Sequence, residues 1–238
     1  MTTALIVLSM LLLLALIFDF LNGFHDSANV VATMIASRAL SPRAALWLAA
    51  IANFLGPFLF GVAVAHTVGA EVVRADALSI AVVLAALVSA SAWNLITWRL
   101  GIPSSSSHAL IGGIVGAVFV AAGFSAIRMA GLWKIAAALL LSPLLGFFLA
   151  VIVMQLTRFA LRNATPRANL TLSRMQIVTA VVLALSHGAN DAQKTMGIIA
   201  MGLLTLGWID HFYVPTWVIL ASATAIGAGT MLGGWRII

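Results

Sequence analysis

Two aspartates stand within otherwise apolar stretches, Asp26 in Asn22-Gly-Phe-His-Asp-Ser-Ala-Asn29 and Asp191 in Ser186-His-Gly-Ala-Asn-Asp-Ala-Gln-Lys194. At the centre of a bilayer each carboxylate would cost about 2.5–3.5 kcal/mol, so such acids mark places where an ion or a substrate is handled. One aspartate alone could be a helix cap. Two in matching contexts call for more. Carboxylates beside carboxamides suit a small hard cation, which makes Asp26, Asn22, Asn29, Asn190, Asp191 and Gln193 the candidate cation ligands. Na+ is the candidate metal at Asp26, Asn190 and Asp191, with carbonyls of unwound helix as further ligands. Protonation of the two carboxyls would serve H+ coupling instead. Asp19 is explained as well by a helix-packing position.

The second constellation is Pro103-Ser-Ser-Ser-Ser-His108, followed by Ala109-Leu-Ile-Gly-Gly-Ile-Val-Gly-Ala-Val118. The glycines predict close helix packing. A helix start offers free N–H groups and a positive dipole end. With the hydroxyls of Ser104, Ser105, Ser106 and Ser107, those donors make a cradle for an oxyanion that needs no buried arginine. Simple N-capping is the competing explanation. His25, His108 and His187 adjoin these motifs, where a packed, hydrogen-bonding role is the usual one. Lys194 would meet the anion or neutralise Asp191.

The elements that must position these residues are membrane helices. Of 238 residues, 63% are hydrophobic and 8% charged, with a mean hydropathy of +1.15; a soluble domain carries roughly 25% charged residues. Residues 4–18, 44–65, 77–98, 109–127, 135–157 and 212–235 contain no Asp, Glu, Lys or Arg, and a span needs about 20 apolar residues. The net charge of +6 would suggest nucleic acid in a soluble protein. Here Arg158, Arg162, Arg167 and Arg174 cluster without an acid among them, as the positive-inside bias produces, so no nucleic-acid partner is expected. The absence of cysteine excludes disulfides and thiolate chemistry.

Residues 3–37 would form a straight helix of about 50 Å, longer than a core of roughly 30 Å. That length, with Gly23 and the polar residues around it, predicts a helix, a glycine-assisted break and a shorter helix. Residues 175–209 have the same form, and 101–124 reads as a broken or re-entrant piece with Pro103 at its helix start. The two long stretches align, with Asp26 and Asp191 165 residues apart. Further on the offset becomes 173, pairing Pro42 with Pro215, Gly56 with Gly229 and Gly61 with Gly234, the mark of a duplication. Arg38 and Arg43 follow the first copy, whereas Asp210 and His211 follow the second. Opposite membrane sides, and hence inverted copies, explain that contrast. Inversion requires an odd number of net crossings, met if 44–66, 77–98, 101–124, 135–157 and 175–206 each cross once. The resulting division is a first transmembrane repeat (1–157), a basic cytoplasmic linker (158–174) and an incomplete second repeat (175–238).

At Phe18-Asp-Phe-Leu-Asn-Gly-Phe-His-Asp-Ser-Ala-Asn29, Gly101-Ile-Pro-Ser-Ser-Ser-Ser-His108 and Ser186-His-Gly-Ala-Asn-Asp-Ala-Gln-Lys-Thr-Met-Gly197 the chain resembles the inorganic phosphate transporter (PiT) family. The resemblance covers essentially the whole chain. It implies an all-α polytopic inverted-repeat transporter of the cytoplasmic membrane, with inorganic phosphate as substrate and Na+ or H+ as the coupling ion. By position, Asp26, Asn29, Asn190 and Asp191 inherit the cation and phosphate site, and Ser104 to Ser107 the phosphate cradle. The family's second Pro-Ser-Thr-His motif would fall near residue ~276 by the repeat offset, so the sequence reads as truncated within its second repeat. No prosthetic group is expected, and a homo-oligomer is compatible with the pattern. Sulfate or another oxyanion is the alternative cargo. An intramembrane serine hydrolase is disfavoured, because neighbouring Ser and His do not by themselves meet as nucleophile and base and no Gly-x-Ser-x-Gly elbow is present.

Overall fold

The computed structural model describes residues 2–62, 65, 79–166 and 168–237. Seven α-helices run through them: α1 (Thr2–Ala36), α2 (Pro42–Phe60), α3 (Ile80–Leu100), α4 (Ser106–Ala122), α5 (Met129–Ala160), α6 (Ala168–Thr205) and α7 (Thr216–Leu232). Local sequence sets the starts. Ser41 caps α2 by accepting from Ala44 N, with Pro42 at the first helical position, and Ser79 caps α3 by accepting from Val82 N. Gly101 closes α3 in the left-handed conformation (φ 68°).

The predicted breaks are absent from the two long segments: α1 runs 35 residues and α6 runs 38 without interruption. Their central glycines serve close approach instead. A Cβ on Gly23 would overlap the carbonyl oxygen of Ile226 in α7. One on Gly188 would overlap that of Asn53 in α2 and lie 2.6 Å from its Cα. Glycine permits a bend and a backbone-to-backbone contact equally, and here the contact is what forms.

These contacts reveal the repeat. Gly56 of α2 packs on Leu185 O and Ala189 N of α6, and Gly229 of α7 packs on Phe20 O and Phe24 N of α1. The offsets of 165 and 173 convert one set of atoms into the other. They also convert the Gly23–Ile226 contact into Gly188–Asn53. The helices α1 and α6 run antiparallel, with Leu11 against Gly202 at one level and Asp26 beside His187 at another. The copies are therefore inverted and interlocked, α2 lying on α6 and α7 on α1. The connections after α1 and α6 leave from opposite ends.

Between the copies α3 and α4 form a hairpin. Gly113 meets Ala86 O. Trp93 and Ile96 face His108 and Ala109 near the turn, and Ser79 and Val82 face Val120 and Ala121 at the open end. The turn reaches α1 at His25, bonded to Thr97, and so stops roughly 16 Å short of the end of α1 at 1.5 Å per residue. Of the two helices, α3 is long and apolar enough to cross a membrane, as expected of 77–98, whereas α4 is a shorter apolar helix of 17 residues. Pro103 is also not at the helix start: α4 begins at Ser106, capped by Ser105 accepting from His108 N. Of the α4 glycines only Gly113 makes a close contact, whereas Gly112 and Gly116 face open space.

The α5 helix is 32 residues long and buries only Gly131; its apolar residues, such as Leu145, Phe147 and Phe148, face outward, as lipid allows. Arg158 lies in its last turn and Arg174 lies within α6. The described non-helical residues of the basic segment are thus 161–166, fewer than the expected 158–174. Removing the α4 cap by Ser105→Ala should lower stability by about 1 kcal/mol, read as a lower melting temperature with phosphate affinity kept.

Candidate functional site

Helical spacing creates the site. Along α1, Asp19, Asn22 and Asp26 follow at i, i+3 and i+7, and along α6 His187, Asp191 and Lys194 follow at i, i+4 and i+7, so each trio shares a face. The antiparallel crossing turns the two faces toward each other, and the hairpin turn closes over them.

The centre is a pair of buried carboxylates bridged by Asn22 and His187, with Lys194 ion-paired to Asp191. Asn22, only 1% exposed, donates through its amide nitrogen to Asp26 Oδ2 at 2.8 Å, with Asp191 Oδ2 at 3.3 Å and Ser106 Oγ at 3.0 Å. This orientation of the amide is the one that satisfies its neighbours. His187 Nε2 lies 3.2 Å from Asp191 Oδ2 and 3.6 Å from Asp26 Oδ2. Lys194 donates to Asp191 and to Ser107. Around Asp26, His25 Nδ1 lies 3.3 Å from Oδ1, and Ser106 Oγ donates to Oδ2 at 3.3 Å.

A chain of bonds fixes the His187 ring. Thr230 donates to Ile226 O, and Asn53 Nδ2 donates to Thr230 Oγ1 at 2.7 Å. Asn53 Oδ1 is left to accept from His187 Nδ1 at 3.1 Å. With a proton assigned to Nδ1, Nε2 faces the two carboxylates, where a second proton or a cation would link them. Ligand atoms of Asp26, His187 and Asp191 lie within 4.8 Å of one another, a span that one cation could bridge.

The expected residues divide. Asp26, Asn22, Asp191, Ser106 and Ser107 converge. Asn29 touches the rim at 3.5 Å from Asp26 Oδ1 and is otherwise exposed. Asn190 does not join the expected Na+ set: it is exposed, because in a continuous helix it points about 100° away from Asp191. Gln193 is buried but two residues beyond Asp191, on the opposite side of α6. The four serines do not act alike, since Ser104 donates to Thr97 Oγ1 at 3.0 Å and Ser105 is spent on the cap. His108 is exposed. His187 and Lys194 take the places expected of Asn190 and Gln193. Thr97, bonded to both His25 and Ser104, was not legible, because one threonine in an apolar helix carries no signal.

The model of the phosphate transporter family matches residues 22–171 and 160–238. A probable low-affinity inorganic phosphate transporter of Rhizobium meliloti is 46% identical over 230 residues, spanning 96% of this chain and 69% of its own length. One of Bacillus subtilis with the same description is 47% identical, spanning 100% and 72%. A low-affinity inorganic phosphate transporter of Escherichia coli is 35% identical, spanning 82% and 46%. Among solved structures, one described as the sodium-dependent phosphate transporter matches with a TM-score of 0.82 at 20% identity, covering 97% of this chain and 76% of that one. At that identity the likeness speaks for the fold.

Proposed function

The chain belongs to the phosphate transporter family, and we propose from that premise that it carries inorganic phosphate across the cytoplasmic membrane by symport with Na+ or H+. The observation that carries the reading is the closure of two buried carboxylates by a hairpin turn that brings Ser106 Oγ to Asp26 and Ser107 Oγ to Lys194. Asp26 and Asp191 outnumber Lys194, and the balance is closed by a second proton on His187 or by an entering cation. Adding a phosphate anion to that centre is favourable only when cations enter with it. This charge balance supports coupling to a cation. Ser106, Ser107, Lys194 and the first N–H groups of α4 supply the donors that the anion needs, with Asp26, Asp191 and Asn29 around it. Asp26, His187 and Asp191 supply the cation side. The names of the relatives support phosphate as cargo, and the name of the structural neighbour supports Na+; His187 Nε2 between two carboxylates supports H+.

Family membership sets the hydrolase reading aside, and Lys194, ion-paired to Asp191, is not placed as a base for Ser107. Proteoliposomes decide the rest. Phosphate uptake should follow an imposed Na+ or H+ gradient and resist competition by sulfate. Uptake indifferent to both gradients would mean a passive anion path. Stronger inhibition by sulfate than by unlabelled phosphate would mean a different cargo.

The serine cradle has its own test. Each lost hydrogen bond to a charged group is worth about 1.5–3 kcal/mol, so Ser106→Ala with Ser107→Ala should weaken phosphate binding on the order of 10²-fold or more. Unchanged affinity in a binding titration would remove these hydroxyls from the site.

A further inference from the structure

Thr97, in the last turn of α3, is held from several sides. Its own hydrogen goes back along the helix to the carbonyls of Trp93 and Asn94, at 2.9 and 3.2 Å. The oxygen is then left to accept, from Ser104 Oγ at 3.0 Å and from His25 Nε2 at 3.2 Å. The Thr97 carbonyl also receives Ile102 N at 2.9 Å. One residue thus grips the hairpin turn twice, by backbone at Ile102 and by side chain at Ser104, and fastens it to α1 at His25. Pro103 between them has no N–H to contribute. Two and three residues beyond Ser104, Ser106 and Ser107 reach Asp26 and Lys194.

Two comparisons show that this hydroxyl does more than satisfy itself. The bond back to the fourth preceding carbonyl is the one that Thr157, Thr205 and Thr224 make among the described residues. Thr230 makes it too, and also accepts from Asn53, whose other end holds His187. Each histidine facing the carboxylates is therefore tethered to a threonine bonded back along its own helix, His187 through Asn53 and His25 directly. Nor does the hairpin need the hydroxyl to stay attached. Phe24 packs edge-on against Trp98 at 5.4 Å, and Gly113 meets Ala86 O. Leu87, Ala90, Leu110 and Ile114 share one core cluster with Leu11, Ala15 and Phe18. Apolar burial is non-directional. It holds α3 and α4 in place and leaves the set of residues 101–105 to hydrogen bonds, which have direction.

We propose that Thr97 is a positioning residue for the anion: it sets where the turn presents Ser106 and Ser107 to the carboxylate pair, without touching the anion itself. The inference rests on the proposed transport reading. A wild type that takes up no phosphate would count against that reading, and the variants below test this one. Thr97→Val keeps the shape of the side chain and removes both accepted bonds. In proteoliposomes it should raise the KM for phosphate about 10-fold with kcat nearly kept, the mark of lost binding rather than a lost transport step. Thr97→Ser, which keeps the hydroxyl, should restore the wild-type KM. Ser104→Ala breaks only the bond from the turn and should raise KM about 3-fold; it decides the matter if Thr97→Val does not fold. Added to Thr97→Val it should change nothing more, since both remove the same contact. The chain has no cysteine, so a spin label at Ile102→Cys reports the turn alone. Thr97→Val should increase the mobility of that label without phosphate present, a readout independent of transport. A KM unmoved by Thr97→Val, a loss that Thr97→Ser does not repair, or full additivity with Ser104→Ala would overturn the proposal. So would an unchanged spectrum of the label.

Discussion

Asp191→Asn is expected to reduce coupled phosphate uptake on the order of 10²-fold or more, with the protein still inserted and folded. Asp191 bears the contacts to His187, Lys194 and Asn22. The substitution preserves shape and removes the charge. Lys194 loses its ion pair, and the cation loses one of the two carboxylates that would hold it. Hydrogen bonds to charged groups are worth about 1.5–3 kcal/mol each, and losing two carries the effect past 10²-fold. Asp26→Asn should behave alike, because its carboxylate meets Asn22, His187, His25 and Ser106. The measurement is gradient-driven uptake in proteoliposomes beside a melting curve. Wild-type uptake with a normal cation requirement in either variant would detach the carboxylates from transport.

Gly188→Ala should be among the most damaging single-methyl changes in the described molecule. Its Cβ would overlap the carbonyl of Asn53, and the clash is with backbone, which no rotamer relieves. Overpacking of a tight interface costs typically 1–3 kcal/mol, and this one belongs at the upper end. The damage extends to the site. Pushing α2 away separates Asn53 from His187, the contact that orients the ring between the carboxylates. Both the melting temperature and uptake should fall. Gly116→Ala is the matched control, since its Cβ would meet nothing within 4 Å; helix propensity then favours alanine by up to about 1 kcal/mol. Equal melting temperatures for Gly188→Ala and the wild type would show that the α2–α6 contact is not the tight one described.

Much of this was legible in the sequence, because charge is expensive in lipid and stands out there. Asp26, Asp191 and the serine run declared themselves, and the proline and glycine offsets gave the repeat. Continuity of the long helices was not legible. Gly23 and Gly188 fit a break as readily as a close contact, and what separates the two is a neighbour about 200 or 135 residues away in the chain, Ile226 or Asn53. That one misreading spread to the ligand set. Across a break Asn190 and Gln193 could turn toward the ion, but along an unbroken helix only residues three and four from Asp191 share its side. Those residues are His187, Gly188, Lys194 and Thr195, of which His187 and Lys194 reach its carboxylate.

The exchange of helices between repeats bears on how the chain is made. Asn53 finds Thr230 and His187 at separations of 177 and 134 residues, and the tight backs of Gly23 and Gly56 wait for α7 and α6. At roughly 5–20 residues per second, a ribosome needs on the order of 10 s to deliver those partners. During that interval the first two helices reside in the membrane with Asn22, Asp26 and Asn53 lacking their later companions. The nascent first half must be sheltered by the insertion machinery or by water until the second half arrives. Its lifetime in that state, rather than the stability of the finished bundle, is then the step at which substitutions in α6 and α7 would first be felt.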